Sequence, residues 1–216
     1  MKKGFFISFE GVEGSGKTTQ VKLLGRALSE KGHHCITTRE PGGTVIGNRV
    51  RSLLLHPEND SLDPLAELLL YEACRAQLVG EVILPEIERG SVVLCDRFTD
   101  STFAYQAKAR GLNRDLVYQL NHIAASGFVP DKTIFLDLDP KEGLRRARGR
   151  NTVSQGINDE SRFENEALDF HSRVREGFLE IAEREPDRVK VISAEESILE
   201  IQEKILLEID SWLPGI

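Results

Sequence analysis

The sequence predicts an α/β fold: a parallel five-stranded sheet flanked by helices in a three-layer arrangement. Two observations carry this. Five short apolar runs, at 4–9, 33–38, 91–96, 132–138 and 188–193, recur between segments of helical periodicity. They alternate little between apolar and polar positions, as strands buried on both faces do, and their spacing leaves room for crossover helices. The second observation is local. The first run ends in Phe5-Phe6-Ile7-Ser8-Phe9 and is followed at once by Gly11-Val12-Glu13-Gly14-Ser15-Gly16-Lys17-Thr18, a G-x-x-x-x-G-K-T loop. Strand, glycine-rich loop and helix in that order predict a P-loop NTPase fold. At 216 residues the chain suits one domain, residues 1-216.

The elements follow in order. In the loop, glycines let successive backbone N–H groups turn inward around phosphates, and the next helix adds the positive end of its dipole. Lys17 reaches the terminal phosphates of a nucleotide triphosphate such as ATP, and the Thr18 hydroxyl is placed to ligate Mg²⁺. The second strand runs into Thr38-Arg39-Glu40-Pro41-Gly42-Gly43-Thr44, a tight turn at a strand's carboxyl end, where ligands sit in open α/β sheets. Asp63-Pro64 reads as an N-cap followed by proline in the first helical turn. That helix carries Tyr71 and Arg75 four residues apart, hence on one face, as a base-stacking and base-reading pair or as core plus ion pair. The third strand ends Val92-Val93-Leu94-Cys95-Asp96-Arg97, an acid where phosphate-loop enzymes hold hydrated Mg²⁺ and an arginine suited to a phosphoryl group. After the fourth strand, Asp139-Pro140 opens another helix, with Glu142 completing a capping box. Arg145, Arg146, Arg148 and Arg150 crowd its end, before a polar stretch, 149–161, that reads as a mobile surface loop. The last helix, about 195–213, carries Ile198, Ile201, Ile205, Leu206 and Ile209 at helical spacing.

A net charge of −7 and a pI near 5.4 argue against a nucleic-acid partner, which needs a basic face. Cys35, Cys74 and Cys95 have no C-x-x-C spacing and read as small buried hydrophobes rather than metal ligands or disulfides. No signal segment precedes the first strand and no apolar stretch is long enough for a membrane span, so no membrane partner and a cytoplasmic location are expected. A GTPase-type switch normally carries an N-K-x-D segment for guanine, and this chain has none.

Taken together, Arg39-Glu40-Pro41-Gly42-Gly43-Thr44, Arg75-Ala76-Gln77, Asp96-Arg97, Ser101-Thr102-Phe103-Ala104-Tyr105-Gln106 and Arg162-Phe163-Glu164 resemble the thymidylate kinase family over nearly the whole chain. The resemblance implies transfer of the ATP γ-phosphoryl to dTMP. It implies that Tyr71, where phenylalanine is usual, stacks on thymine, that Arg75 reads its edge, and that Ser101, Thr102 and Gln106 lie beside the nucleotide. Tyr105 is implied to lie against the deoxyribose and disfavour a 2′-hydroxyl. Glu13 is implied to face the sugar and phosphate, and Arg39, Arg97 and Arg51 the dTMP phosphate. Catalysis is implied to rest on Lys17, Arg97, Glu13 and an arginine of a mobile lid at about 146-162. Because the loop has Gly14-Ser15 and no arginine, Arg150 is aligned with that lid position, and Arg148 with the ATP phosphates. Thr18 and Asp96 are implied to hold Mg²⁺, partly through water, and the enzyme is implied to be a homodimer. Another deoxynucleotide or nucleoside kinase of the same fold is the alternative.

Overall fold

In the computed structural model, which describes residues 4–151 and 160–213 (the backbone alone at 150 and 151), the five expected strands form and pair in parallel. They are β1 (Phe5–Glu10), β2 (Cys35–Arg39), β3 (Val92–Asp96), β4 (Lys132–Asp137) and β5 (Val189–Ser193), in the spatial order β2-β3-β1-β4-β5. Each lies within two residues of its expected bounds. The helices are α1 (Lys17–Glu30), α2 (Val45–Leu55), α3 (Pro64–Leu78), α4 (Leu84–Glu88), α5 (Thr99–Thr102), α6 (Arg114–Ala124), α7 (Pro140–Asn151), α8 (Leu168–Arg184) and α9 (Ile198–Trp212).

Alternate strand residues feed two cores, one on each side of the sheet. Phe6, Val93 and Cys95 point into one with Leu78, Ile83 and Phe98, while Ile7, Phe9 and Leu94 point into the other with Leu24, Phe135 and Phe178. Burial on both faces holds for β1, β3 and β4. The edge strands β2 and β5 are partly exposed, because each has a neighbour on one side only, and Cys35 on β2 is accordingly half-buried rather than buried. The three cysteines are free thiols.

Caps set the helix starts. Asp63 accepts the N–H groups of Leu65 and Ala66 and fixes the start of α3. Asp139 does the same for α7 through Lys141 and Glu142, but the Glu142 carboxylate is taken up by Arg145 and Arg146 rather than by the cap backbone. The reciprocal capping box forms instead at α9, between Ser197 and Glu200. Two π-helical stretches, Val79–Ile83 between α3 and α4 and Phe103–Ala109 after α5, widen their helices by a residue, and the second carries Tyr105 and Gln106.

The register gathers the functional residues at one edge. Phe9 pairs with Asp96, and Asp96 with Arg39, so the carboxyl ends of β1, β3 and β2 finish level with one another. The chain enters the phosphate loop from the middle of the sheet. Gly14, with φ +73°, lies so close to α7 that a Cβ there would meet the Gly143 carbonyl oxygen at 2.1 Å. A Cβ on Gly143 would in turn meet the Glu13 carbonyl oxygen at 2.4 Å. Two facing glycines therefore let the helix that leads to residues 152–159 rest on the loop, backbone against backbone.

Intrinsic propensity favours alanine over glycine inside a helix by about 1 kcal/mol. Gly143→Ala is nevertheless expected to destabilise the fold by about 1–3 kcal/mol, since α7 must move off the loop. Gly149→Ala in the same helix, where a Cβ meets nothing within 4 Å among the described residues, is expected to be neutral or stabilising. Urea unfolding of the two variants checks both.

Candidate active site

The loop ends in a left-handed Gly16 (φ +93°), where a Cβ would meet nothing within 4 Å, and α1 starts at Lys17. Lys17 folds back over the loop: its Nζ donates to the carbonyls of Gly11 (2.9 Å) and Val12 (2.8 Å) and to the Ser15 hydroxyl (3.2 Å). Burial, reinforced by the charge of Arg97, brings the Lys17 ammonium down to about 7. Thr18 donates its hydroxyl to the Asp96 carboxylate over 2.5 Å. A cavity of about 180 Å³ opens here, lined by Gly14, Gly16, Lys17, Thr18, Asp96 and the arginines Arg39, Arg51 and Arg97.

A second cavity, of about 340 Å³, adjoins it and falls within the size range of small-molecule sites. Arg39, Arg51, Tyr71, Arg75, Arg97, Ser101, Thr102, Tyr105 and Gln106 all line it, so the structure brings together every residue implied by the resemblance to face the second nucleotide. Phe163 and Glu164 complete the wall, and sequence reading had left them without a role. Glu13, Thr18, Glu40, Arg39, Arg51 and Arg97 line both cavities and so form the passage between them.

Arg97 stands at the centre of that passage in a left-handed backbone conformation, φ 74°, uncommon for a side-chain-bearing residue. Glu10, the buried last residue of β1, holds the turn: its carboxylate accepts the Phe98 N–H at 2.7 Å and the Ser101 hydroxyl at 2.6 Å. Burial and the nearby Asp100 push Glu10 up to about 8. The Arg97 guanidinium then donates to the Gly11 carbonyl, Ser101, Tyr105 and Glu13. Glu13 is fixed from both sides, accepting the Tyr105 hydroxyl at 2.5 Å on one oxygen and His171 Nδ1 at 3.0 Å on the other. Burial pushes the Glu13 carboxyl up, but the His171 hydrogen bond and the charges of Arg97 and Lys17 outweigh it and hold the group well below the usual carboxylate range.

Arg75 is 1% exposed and its five N–H donors are all engaged. Nε goes to Glu40, one terminal nitrogen to Glu72 and Asn121, the other to Glu40 and Thr102. Gln106 donates its amide N–H to Glu67, which also accepts from Arg110 and Arg162. Arg162 is buried and ties the strand-less segment after residue 159 to the Leu54 carbonyl and to Glu67. Glu160 lies at the cavity mouth and makes a two-point ion pair with Arg51, at 2.6 and 2.7 Å. Arg148 donates to the Glu164 carbonyl and lines neither cavity. The Arg150 side chain and residues 152–159 of the expected lid lie outside the described residues.

Glu10, Glu67, Glu160 and His171 were not singled out from sequence. Glu10 had a signal, an acid closing an apolar strand, as did His171, a lone polar residue on the apolar face of a helix. Among the described residues no group of three or more His, Cys, Asp or Glu side chains could hold a metal, and no helix is long and apolar enough to cross a membrane.

Comparison with known proteins shows the family. A family model described as thymidylate kinase matches residues 9–205. Curated relatives called thymidylate kinase include one from Syntrophotalea carbinolica, 52% identical over 98% of both chains. Another, from Geobacter sulfurreducens, is 52% identical over 90% of this chain and 91% of its own. The crystal structure of thymidylate kinase from Ehrlichia chaffeensis superposes with a TM-score of 0.77 at 34% identity, covering 96% of this chain and 99% of that one.

The Glu10 carboxyl titrates near 4.5 unfolded and about 8 folded, so the folded state holds the extra proton between those values and stability falls as pH rises through that window. Glu10→Gln removes this titration. Between pH 5 and 8 the Tm of the wild type is expected to drop several degrees more than that of the variant; parallel curves would contradict the buried carboxyl.

Proposed function

This chain belongs to the thymidylate kinase family, and we propose that it transfers the γ-phosphoryl group of ATP to dTMP, giving dTDP and ADP for dTTP synthesis. The passage between the two cavities supports the reading best. A triphosphate on the loop and a monophosphate in the larger cavity meet along one wall, between Glu13, Arg39, Arg51 and Arg97. There an oxygen of the dTMP phosphate attacks the γ-phosphorus, a new phosphorus–oxygen bond forms, and the bond to the β-phosphate oxygen breaks to release ADP. Such transfers depend on positioning and on charge set around the equatorial oxygens. Lys17, drawn off its carbonyls by the incoming phosphates, and Arg97 supply that charge, with Arg150 as the lid arginine that replaces the one absent from the loop; Arg148 would reach ATP only on leaving the Glu164 carbonyl. The hydroxyl of Thr18 and carboxylate of Asp96 are hard oxygen donors within one hydrogen bond of each other, the ligand set that suits Mg²⁺ carried in by ATP. The metal would neutralise phosphate charge there.

The base wall accounts for the choice of pyrimidine. Tyr71 offers its ring to thymine. With every Arg75 donor already engaged, the Thr102 hydroxyl, which accepts from Arg75, has its own O–H left to donate to the 4-keto oxygen. Gln106, its amide nitrogen held by Glu67, has its oxygen left for the N3–H. Cytosine reverses that pattern at both atoms and leaves buried polar groups unpaired. Tyr105, braced by Glu13 and edge-on to Phe163, closes the space beside C2′.

A homodimer in the cytoplasm completes the proposal. Helix α3 packs between α2 and α6, and the three expose Ile46, Leu53, Leu69 and Ile123 together, an apolar face that a second copy of the chain would cover. The free thiols suit a reducing compartment.

Coupled measurement of ADP release with dTMP, dCMP, dGMP and thymidine tests the reading, with dTMP expected to be strongly preferred; equal turnover of dCMP would overturn it. Glu160 holds Arg51 where the dTMP phosphate is to bind, so the substrate must displace a carboxylate. Glu160→Gln is expected to lower the KM for dTMP about two- to fivefold, the range of a partly exposed ion pair, with little change in kcat. An unchanged or higher KM would show that Glu160 does not compete for this arginine.

A further inference from the structure

The buried face of α8 consists of Phe170, His171, Val174, Gly177, Phe178, Ile181 and Ala182, and His171 is its one polar side chain. The imidazole is 1% exposed. Its Nδ1 lies 3.0 Å from the Glu13 carboxylate, which as an ion only accepts, so the imidazole is the donor. Its Nε2 is buried with no hydrogen-bond partner, and the imidazole packs nearly perpendicular to the Phe170 ring, centroids 5.5 Å apart. A leucine or phenylalanine here would continue the apolar face and leave no unsatisfied nitrogen. What a hydrocarbon cannot do is reach across 158 residues of sequence and hold the phosphate loop's acid.

The other donors to Glu13 face the nucleotides. Arg97 and Tyr105 line the larger cavity, on the proposed reading beside the dTMP phosphate and sugar, and a ligand there competes with Glu13 for them. His171 lines neither cavity, so no ligand competes for its N–H. We propose that His171 is a positioning residue for phosphoryl transfer: its Nδ1–H holds the Glu13 carboxylate in the wall shared by the two cavities while the nucleotides draw Arg97 and Tyr105 toward themselves. Glu13 touches the reactants, and His171 acts through it. This assignment rests on the proposed dTMP kinase reading for its kinetic consequence, though not for the hydrogen bond itself.

The test compares His171→Leu, which removes the donor at similar volume, with His171→Asn, whose amide nitrogen places a donor near the Nδ1 position. For His171→Leu kcat with dTMP and MgATP is expected to fall about 10- to 100-fold, the scale of one hydrogen bond to a charged group, with the KM for dTMP changed less than about threefold. His171→Asn is expected to recover most of kcat. Combined with Glu13→Gln, His171→Leu is expected to cost nothing further, because both act through one carboxylate. Unchanged kcat in folded His171→Leu, or losses that multiply in the double variant, would reduce His171 to packing and overturn the proposal. Should His171→Leu not fold, a drop of more than tenfold in His171→Asn would overturn it equally. A proton resonance of His171 Nδ1–H, shifted downfield and lost in Glu13→Ala, reads the pair without any substrate, and its absence from the wild type would refute the contact. Failure of the wild type to turn over dTMP would instead remove the substrate reading, and the resonance would then decide the pair alone.

Discussion

The Glu10 carboxyl group, buried where β1 ends, is hydrogen-bonded to the Phe98 N–H and the Ser101 hydroxyl, and the whole site is built on that junction. It joins the strand that carries the phosphate loop to the turn that carries Arg97. An arginine at φ 74° persists only where its surroundings over-determine the backbone. Here they do: the Arg97 N–H is bonded to the Phe9 carbonyl, and the next N–H to Glu10. The guanidinium is thereby aimed into the passage between two cavities rather than along the sheet. A carboxyl raised to about 8 by burial is a cost to folding at neutral pH, accepted where the backbone geometry of Arg97 depends on it.

The site handles its arginines in two ways. Arg75 and Arg162 are buried and paired with Glu40, Glu72 and Glu67, so they act as struts that orient hydroxyl and amide groups in the cavity wall. Buried ion pairs of this kind add little net stability, because desolvation offsets their attraction, but removing one partner leaves an uncompensated charge. Arg39 and Arg51 line both cavities instead. Arg51 is paired with Glu160 across 109 residues of sequence.

The same economy of contacts joins α7 to the loop. Facing glycines at positions 14 and 143 let the two backbones touch, so movement of α7 relative to the sheet bears directly on the Glu13 peptide. The Glu13 side chain, meanwhile, is fixed from α8 through His171 and from the π-helical stretch through Tyr105. Backbone and side chain of one loop residue thus answer to different elements of the fold.

The sequence by itself determined what is local. Gly11 to Thr18 specify a phosphate loop because each residue's part, left-handed turn, inward N–H, ammonium or hydroxyl, depends on its neighbours in the chain. Asp63 and Asp139 cap helices for the same reason, and five apolar runs between helical segments suffice for a parallel sheet. The residues of the second cavity were legible through resemblance, from short motifs that recur together. Tertiary structure alone decided which strands lie at the edges, and so that Cys35 is half-buried and β5 partly exposed. It alone decided that Arg75 has no donor to spare, that Arg51 is paired with Glu160, and that Glu13 is held by His171. These pairings join residues 35, 109 and 158 positions apart. They exist because strand register and helix packing bring buried charges within hydrogen-bond reach, and a buried charge must take whichever partner the fold puts beside it.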